Sequence, residues 1–331
     1  MPAVSPYVYA SPVSILAPSP VERLICRVEL LPAAILRTLH SALNPTHYNA
    51  PMKVYISADI EGITGLVSWS HCGRGDSQHW DFPFARRMMT HDVNAAIRGA
   101  KAAGATKIVI KDSHGNSKNL LIDELESGVH LVSGHGSGID GMMQGIDETF
   151  DAALLVGYHA MAGTPAGIME HTITGGVHRL RINGIPSGEI ALSAGVAGRY
   201  GVPLVFISSD EAGCIEAAER IHGIGTAPVK RGLGRYMGEC LHPSETGPMI
   251  EAGVTKALQN RAHVQPWLPS EPTTITVEFN RSEEADMCAK LFFAERLDAY
   301  TLEVKFDSYL LAHQACWNLM AMSAQGIAAQ N

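Results

Sequence analysis

The sequence predicts a three-layer α/β/α protein with a mostly parallel sheet and a smaller C-terminal α+β lobe. Three observations support this fold class. Strand-like and helix-like segments alternate from Met52 onward, and a central strand-like segment is continuously apolar. The C-terminal part then changes to two further strand-like segments and a closing helix. The chain has 331 residues, 46% of them apolar, which is enough for a large core.

The N-terminal segment differs in composition from the rest. Residues 1–51 contain eight of the eighteen prolines, which argues against a regular strand or a long helix. The segment lacks the charged, apolar and small-residue pattern of a secretory signal. We expect a poorly ordered extension over residues 1–51, or a true start at Met52, with an organelle transit peptide as an alternative.

The first four elements follow from local patterns. Lys53–Asp59 is rich in strand-forming residues, and Thr106–Lys111 has the same character. Phe84–Ala103 has the pattern of a helix, with Gly104 suited to its C-terminal cap. Ala152–Val156 is short and fully apolar, as expected for a buried central strand.

The next elements surround a predicted hairpin. His178–Ile182 precedes Asn183-Gly184, a pair typical of tight hairpin turns. Ser187 is a candidate cap for a helix that ends near Tyr200. The remaining predicted elements are the strand Pro203–Ser208, a helix over about Asp210–Ile221, the strands Thr273–Phe279 and Thr301–Phe306, and a closing helix over Ser308–Ala324. We therefore predict a catalytic domain over residues 52–265 and a C-terminal lobe over residues 266–331.

Charge and cysteine content narrow the function classes. The formal net charge of −8 does not suit a protein that neutralises phosphates, so we expect no nucleic-acid partner. The six cysteines contain no C-x-x-C pair and are expected to be reduced thiols. No run of about 18 uncharged apolar residues is present, so we expect no membrane association and a cytoplasmic location.

Side chains of the types that bind metal ions follow three of the predicted strands. Asp59 and Glu61 end the first strand, His114 follows the second, and His159 follows Ala152–Val156. Open α/β sheets bind ligands in the crevice beyond the carboxyl ends of their strands. Each side chain alone has an ordinary structural explanation, but their shared placement predicts one site.

Glu189 is a fourth candidate, at the start of the helix after the hairpin, although the helix dipole alone also favours an acid there. Two imidazoles and three carboxylates suit zinc, and also manganese or cobalt. Five ligands fit two ions that share one carboxylate. Asp112 is a candidate partner that orients a ligand.

His171 lies on a turn-rich loop twelve residues beyond His159. Beside a metal site, it could donate a proton to a leaving amine or stabilise an oxyanion. The alternative is an ordinary histidine of a surface loop.

Five ordered motifs carry a resemblance to a known family. They are SADIEGITGL (57–66), KDSHGNSKNL (111–120), GYHAMAGTP (157–165), MEHT (169–172) and INGIPSGE (182–189). With this order and spacing, the chain from Met52 to about Ala324 resembles the zinc-dependent D-aminopeptidases of the DppA type, peptidase family M55. The extension over residues 1–51 is a departure from that pattern.

The resemblance implies a site and an activity. Its two zinc ions per subunit would bind Asp59, Glu61, His114, His159 and Glu189, with Asp59 as the bridge and His171 as the catalytic histidine. It implies removal of N-terminal D-residues from short peptides such as D-Ala-D-Ala, by attack of a metal-bound hydroxide. It also implies a homo-oligomer, a decameric ring of two stacked pentamers.

Two alternatives remain at this point. One is a metal-dependent hydrolase of another small amide or ester, which a panel of substrates would distinguish. The other is a non-catalytic peptide-binding or transport-accessory protein with structural metals. A catalytic site keeps a position for water, whereas a structural zinc site is closed.

Overall fold

The structure is a computed structural model that describes residues 51–73, 80–136 and 138–328. The predicted N-terminal extension lies outside the described residues, except for Pro51. Among the described residues, no helix is long and apolar enough to cross a membrane.

A seven-stranded, mostly parallel sheet forms the centre of the fold. Its strands are β1 (Met52–Ala58), β2 (Ala105–Asp112), β3 (His130–Val132), β4 (Ala152–Val156), β7 (Leu204–Asp210), β8 (Gly225–Gly234) and β9 (Met237–Cys240). They lie in the order β3-β2-β1-β4-β7-β8-β9, and only the β8–β9 pair is antiparallel. All of β4 and β7 is buried, as expected for central strands of a parallel sheet that is covered on both faces.

Helices cover both faces of this sheet, so the predicted three-layer α/β/α class is confirmed. They are α1 (Asp81–Ala102), α2 (Glu189–Arg199), α3 (Glu211–Arg220) and α4 (Pro243–Gln259). The helix α1 packs against α4, and α3 packs against β7 and β8.

A second, antiparallel sheet lies beside the first. It consists of β5 (Val177–Ile182), β6 (Ile185–Pro186), β10 (Thr273–Phe279), β11 (Glu295–Arg296) and β12 (Thr301–Phe306), in the order β11-β12-β10-β5-β6. The helices α5 (Ser282–Cys288) and α6 (Tyr309–Ala328) pack against each other, and α6 packs on β10 and β12. The sheet takes β5 and β6 from before residue 266, and the division of the chain at that residue stays a prediction.

Local chemistry explains where sequence and structure agree and differ. Asn183 and Gly184 both have positive φ, 48° and 80°, as the predicted hairpin turn requires. The predicted cap at Ser187 is wrong, because Gly188 is the N-cap of α2 and the Ser187 hydroxyl donates instead to the carbonyl of Ile185. The local patterns did not indicate the elements β3, β8, β9, β11, α4 and α5.

Candidate metal centre

The sheet topology brings the three strand-end motifs together. Because β1 lies between β2 and β4 and is parallel to both, Asp59, His114 and His159 lie at the same edge of the sheet. A tight turn holds Glu61 there, since the N–H of Gly62 donates to the carbonyl of Gly157 at 2.8 Å. A Cβ at Gly62 would lie 1.7 Å from the carbonyl oxygen of Tyr158, so this close approach requires glycine.

Asp59 lies between the two histidines of the strand ends. Its Oδ1 is 3.2 Å from Nδ1 of His114, and its Oδ2 is 3.6 Å from Nε2 of His159. The same Nδ1 of His114 is 3.2 Å from Oε2 of Glu61. The two oxygens of Asp59 therefore face two different imidazoles.

Glu189, the first residue of α2, completes the group on the side of His159. Its Oε1 is 3.4 Å from Nε2 of His159 and 3.7 Å from Nε2 of His171. The same oxygen accepts a hydrogen bond from the N–H of Ile173. The structure thus gathers all six site residues that the sequence predicts.

Burial leaves several polar atoms of this cluster without hydrogen bonds. The six residues are only 1–8% exposed. Among the described residues, Oδ2 of Asp59, both oxygens of Glu61 and Nε2 of His159 have no hydrogen-bond partner. Unsatisfied buried carboxylate and imidazole atoms are costly, and a bound cation would satisfy them. The residues present therefore fit a metal centre.

The crowding of acids and imidazoles shifts their pKa values. Burial and the neighbouring Glu61 raise the pKa of Asp59 to about 7. Burial alone would raise the pKa of Glu61 and lower that of His114, but their mutual attraction outweighs it and reverses both directions. The pKa of His159 is raised in the same way by Glu189, against the effect of burial. Positive charge on the imidazoles thus stabilises the carboxylate of Glu61, whereas the pKa of Asp59 stays raised.

The loop that carries His171 is conformationally strained. Three of its non-glycine residues, Ala166, Met169 and Ile173, have positive φ values of 59°, 54° and 64°. Such strain persists only where the surroundings fix the backbone, and it is common at functional sites. Here it turns the His171 ring toward the cluster, where Nδ1 donates to the carbonyl of Met169 at 3.0 Å.

Asp112 supports the site through the backbone. Its carboxylate accepts hydrogen bonds from the N–H groups of Asn119 and Leu120, at 2.6 and 2.8 Å. The side-chain amide of Asn119 then donates to the carbonyl of His114 at 2.8 Å. Asp112 therefore orients the loop that carries His114. Among the described residues, its carboxylate makes no hydrogen bond with the His114 ring itself.

Lys230 is a functional candidate that sequence reasoning missed. It is buried on β8, and its Nζ donates to the carbonyls of Glu61, Ile63 and Leu66 at 2.5, 2.9 and 2.6 Å. Burial lowers its pKa. Its partners are main-chain oxygens more than 160 residues away in sequence, so no local pattern could have indicated this role.

A cavity of about 470 Å³ opens onto the cluster. Five of the six cluster residues line it, and Gln314, Trp317 and Asn318 of α6 line it as well. This volume is in the usual range for small-ligand sites, which are roughly 300–1,000 Å³. His135, Gly136 and Gly138 also contribute to its wall.

Fold and site together define an α/β protein with a buried candidate metal centre at an open cavity. Residues 52–317 match the model of the D-aminopeptidase family, peptidase family M55. The chain is 35% identical over 266 residues to a D-aminopeptidase of Bacillus subtilis (strain 168), covering 80% of this chain and 95% of that protein. The chain is an enzyme that belongs to the D-aminopeptidase family.

A solved structure shows the same fold. It is described as the Zn-dependent D-aminopeptidase DppA from Bacillus subtilis, a self-compartmentalizing protease. The TM-score is 0.79 at 33% sequence identity, over 82% of this chain and 98% of that one. The resemblance seen in the five sequence motifs is thereby confirmed.

Proposed function

We propose that this chain is a zinc aminopeptidase that binds two zinc ions per subunit and releases N-terminal D-residues from short peptides of the D-Ala-D-Ala type. The observation that carries the proposal is the buried cluster of carboxylate and imidazole atoms that lack hydrogen bonds. The solved relative described as Zn-dependent supports the choice of metal.

The arrangement of Asp59 supports two metal positions. Asp59 and Glu61 with His114 would hold one ion, and Asp59 with His159 and Glu189 would hold the other. Asp59 would bridge them, since its two oxygens face the two histidines separately. Bound zinc supplies a Lewis acid that polarises the scissile carbonyl and lowers the pKa of a water molecule.

His171 has the position and the tautomer for proton transfer. Because Nδ1 donates to the carbonyl of Met169, Nε2 carries the lone pair in the neutral ring and points at Glu61 and Glu189. Burial and the neighbouring His159 lower the pKa of His171 to about 4, which keeps the ring neutral. Nε2 can then accept the proton of the attacking water and return it to the leaving amine.

The cavity supports a peptide substrate. It reaches the cluster from outside, as a catalytic site requires, whereas a structural zinc site would be closed. For the assembly we propose a cytoplasmic homo-oligomer, a decameric ring. The relative described as a self-compartmentalizing protease supports an assembly of this kind.

The proposal is tested by hydrolysis of D-Ala-D-Ala, L-Ala-L-Ala and D-Ala-Gly-Gly before chelation, after chelation and after zinc is restored. We expect zinc-restorable cleavage of the D-peptides only. Cleavage of L-Ala-L-Ala at an equal rate would contradict the stereochemistry. If the folded, zinc-loaded protein cleaves none of these peptides, the aminopeptidase function is refuted. The chain would then be a hydrolase of another amide or ester, or a peptide-binding protein.

A further inference from the structure

Cys72 lies beside one half of the candidate metal centre. The residue is 5% exposed and belongs to the turn of residues 68–73. Single ligand atoms of Cys72, Glu61 and His114 lie within 4.8 Å of one another. The sequence motifs of the site do not include Cys72, because it stands alone between a serine-rich turn and α1.

The main chain of Cys72 is also joined to the site. Nε2 of His114 donates to the carbonyl of Cys72 at 3.3 Å. This bond leaves Nδ1 of the neutral ring as the metal-binding atom, and Nδ1 is the nitrogen that faces Glu61 at 3.2 Å. On the other side of the group, both oxygens of Glu61 are buried and accept no hydrogen bond from the described residues. A sulfur, a nitrogen and an oxygen donor thus lie close enough together to be drawn onto one ion.

We propose that Cys72 binds, as a thiolate, the metal position of Glu61 and His114. The inference rests on the proposed metal centre and adds a ligand to it. Zinc binds sulfur at about 2.3 Å and nitrogen at about 2.1 Å in tetrahedral geometry, so a sulfur and a nitrogen on one ion lie roughly 3.6 Å apart. The three donor atoms lie within 4.8 Å of one another, so they must close by up to about 1.2 Å to reach that spacing. Rotation of the Cys72 side chain would supply this movement, at the cost of the weak thiol contacts with the carbonyl of Ser68 at 3.8 Å and with Sδ of Met169 at 3.9 Å. The thiol proton leaves to solvent when the metal–sulfur bond forms.

Thiolate ligation has two consequences for this enzyme. A soft sulfur donor favours zinc over manganese, so this position should discriminate between the two metals. It also fixes the turn that carries Trp69, whose indole lies edge-on to the His171 ring with centroids 5.1 Å apart. Metal binding at this position would therefore also fix the position of Trp69 beside His171.

Cobalt substitution tests the proposal with a readout other than activity. Wild-type protein, Cys72→Ser and Cys240→Ser are stripped of metal and loaded with cobalt(II). Cys240 is an exposed cysteine of β9 and serves as the matched control. We expect a sulfur-to-cobalt charge-transfer absorption in the wild type and in Cys240→Ser, and its loss in Cys72→Ser. Zinc affinity should fall at least about tenfold in Cys72→Ser, since even an outer-shell partner commonly contributes this much.

The outcomes separate this inference from the proposed function. Cobalt uptake without the charge-transfer absorption, or an absorption that persists in Cys72→Ser, overturns the role of Cys72 and leaves the metal centre standing. A wild-type protein that takes up neither cobalt nor zinc overturns both. If Cys72→Ser does not fold, X-ray absorption of the wild-type zinc protein decides, because a sulfur neighbour at about 2.3 Å is required.

Discussion

The imidazole rings of His159 and His171 are stacked, with centroids 4.1 Å apart and planes inclined by 13°. Two buried imidazoles at this distance cannot both be charged without strong repulsion. The attraction of Glu189 raises the pKa of His159, while burial and His159 lower that of His171. The stack therefore assigns different roles to two residues of one type: a ligand candidate and a neutral proton carrier.

Removal of the His171 ring should impair turnover and spare the metals. We expect His171→Ala to lower kcat by about two to four powers of ten, the usual contribution of a proton-transfer or oxyanion group. Steady-state kinetics and metal analysis of the same preparation measure both effects. The exposed His178 provides the control, and His178→Ala should match the wild type. Near-wild-type turnover in His171→Ala would remove His171 from the mechanism.

The ligand histidines should behave in the opposite way. We expect His114→Ala and His159→Ala to lose zinc, because each deletes a donor and leaves carboxylates buried without positive charge. Elemental analysis after dialysis measures the zinc content, and circular dichroism verifies the fold. His222→Ala, at an exposed histidine, should keep its zinc. Full occupancy in both ligand variants would break the assignment.

The sequence predicts the site well because strand ends are local features. Alternation of β1, β2 and β4 with helices is readable from apolar runs, and parallel pairing then places their carboxyl ends at one edge. What it could not predict depends on distant contacts. Lys230 donates to main-chain carbonyls, which every residue has, so the sequence does not indicate its partners. Only the tertiary fold brings Cys72 beside Glu61 and His114.

Lys230 should be a positioning residue for the loop of Glu61. Lys230→Met keeps the length of the side chain but leaves three carbonyls without their buried donor. We expect a loss of about 3 kcal/mol in the free energy of unfolding and a lower zinc affinity, because the Glu61 turn loosens. Urea unfolding and zinc titration measure the two quantities. The exposed Lys256 gives the control Lys256→Met, and equal zinc affinity in both variants would refute the role of Lys230.

His313 joins α6 to the wall of the cavity and should give the fold a dependence on pH. Nε1 of Trp317 donates to Nε2 of His313 at 3.0 Å, and Nδ1 of His313 donates to the carbonyl of Ile139 at 2.9 Å. This arrangement requires a neutral ring. Burial lowers the pKa of His313 from its usual 6.5 to about 4.

The sign of the effect follows from that lowered pKa. Above about pH 6.5 the ring is neutral in the folded and the unfolded chain, so its titration does not change the free energy of unfolding. Between about pH 6.5 and 4, the unfolded chain takes up a proton that the folded chain excludes, so stability falls by about 3 kcal/mol. His313→Asn keeps a donor toward Ile139 but cannot titrate. The variant is therefore expected to be less stable than the wild type at pH 6.5, and this difference in the free energy of unfolding should shrink by about 3 kcal/mol toward pH 4. Urea unfolding of both zinc-free proteins across this range measures the change, with His263→Asn at an exposed histidine as the control. A difference between wild type and His313→Asn that stays constant with pH would show that His313 is not held neutral.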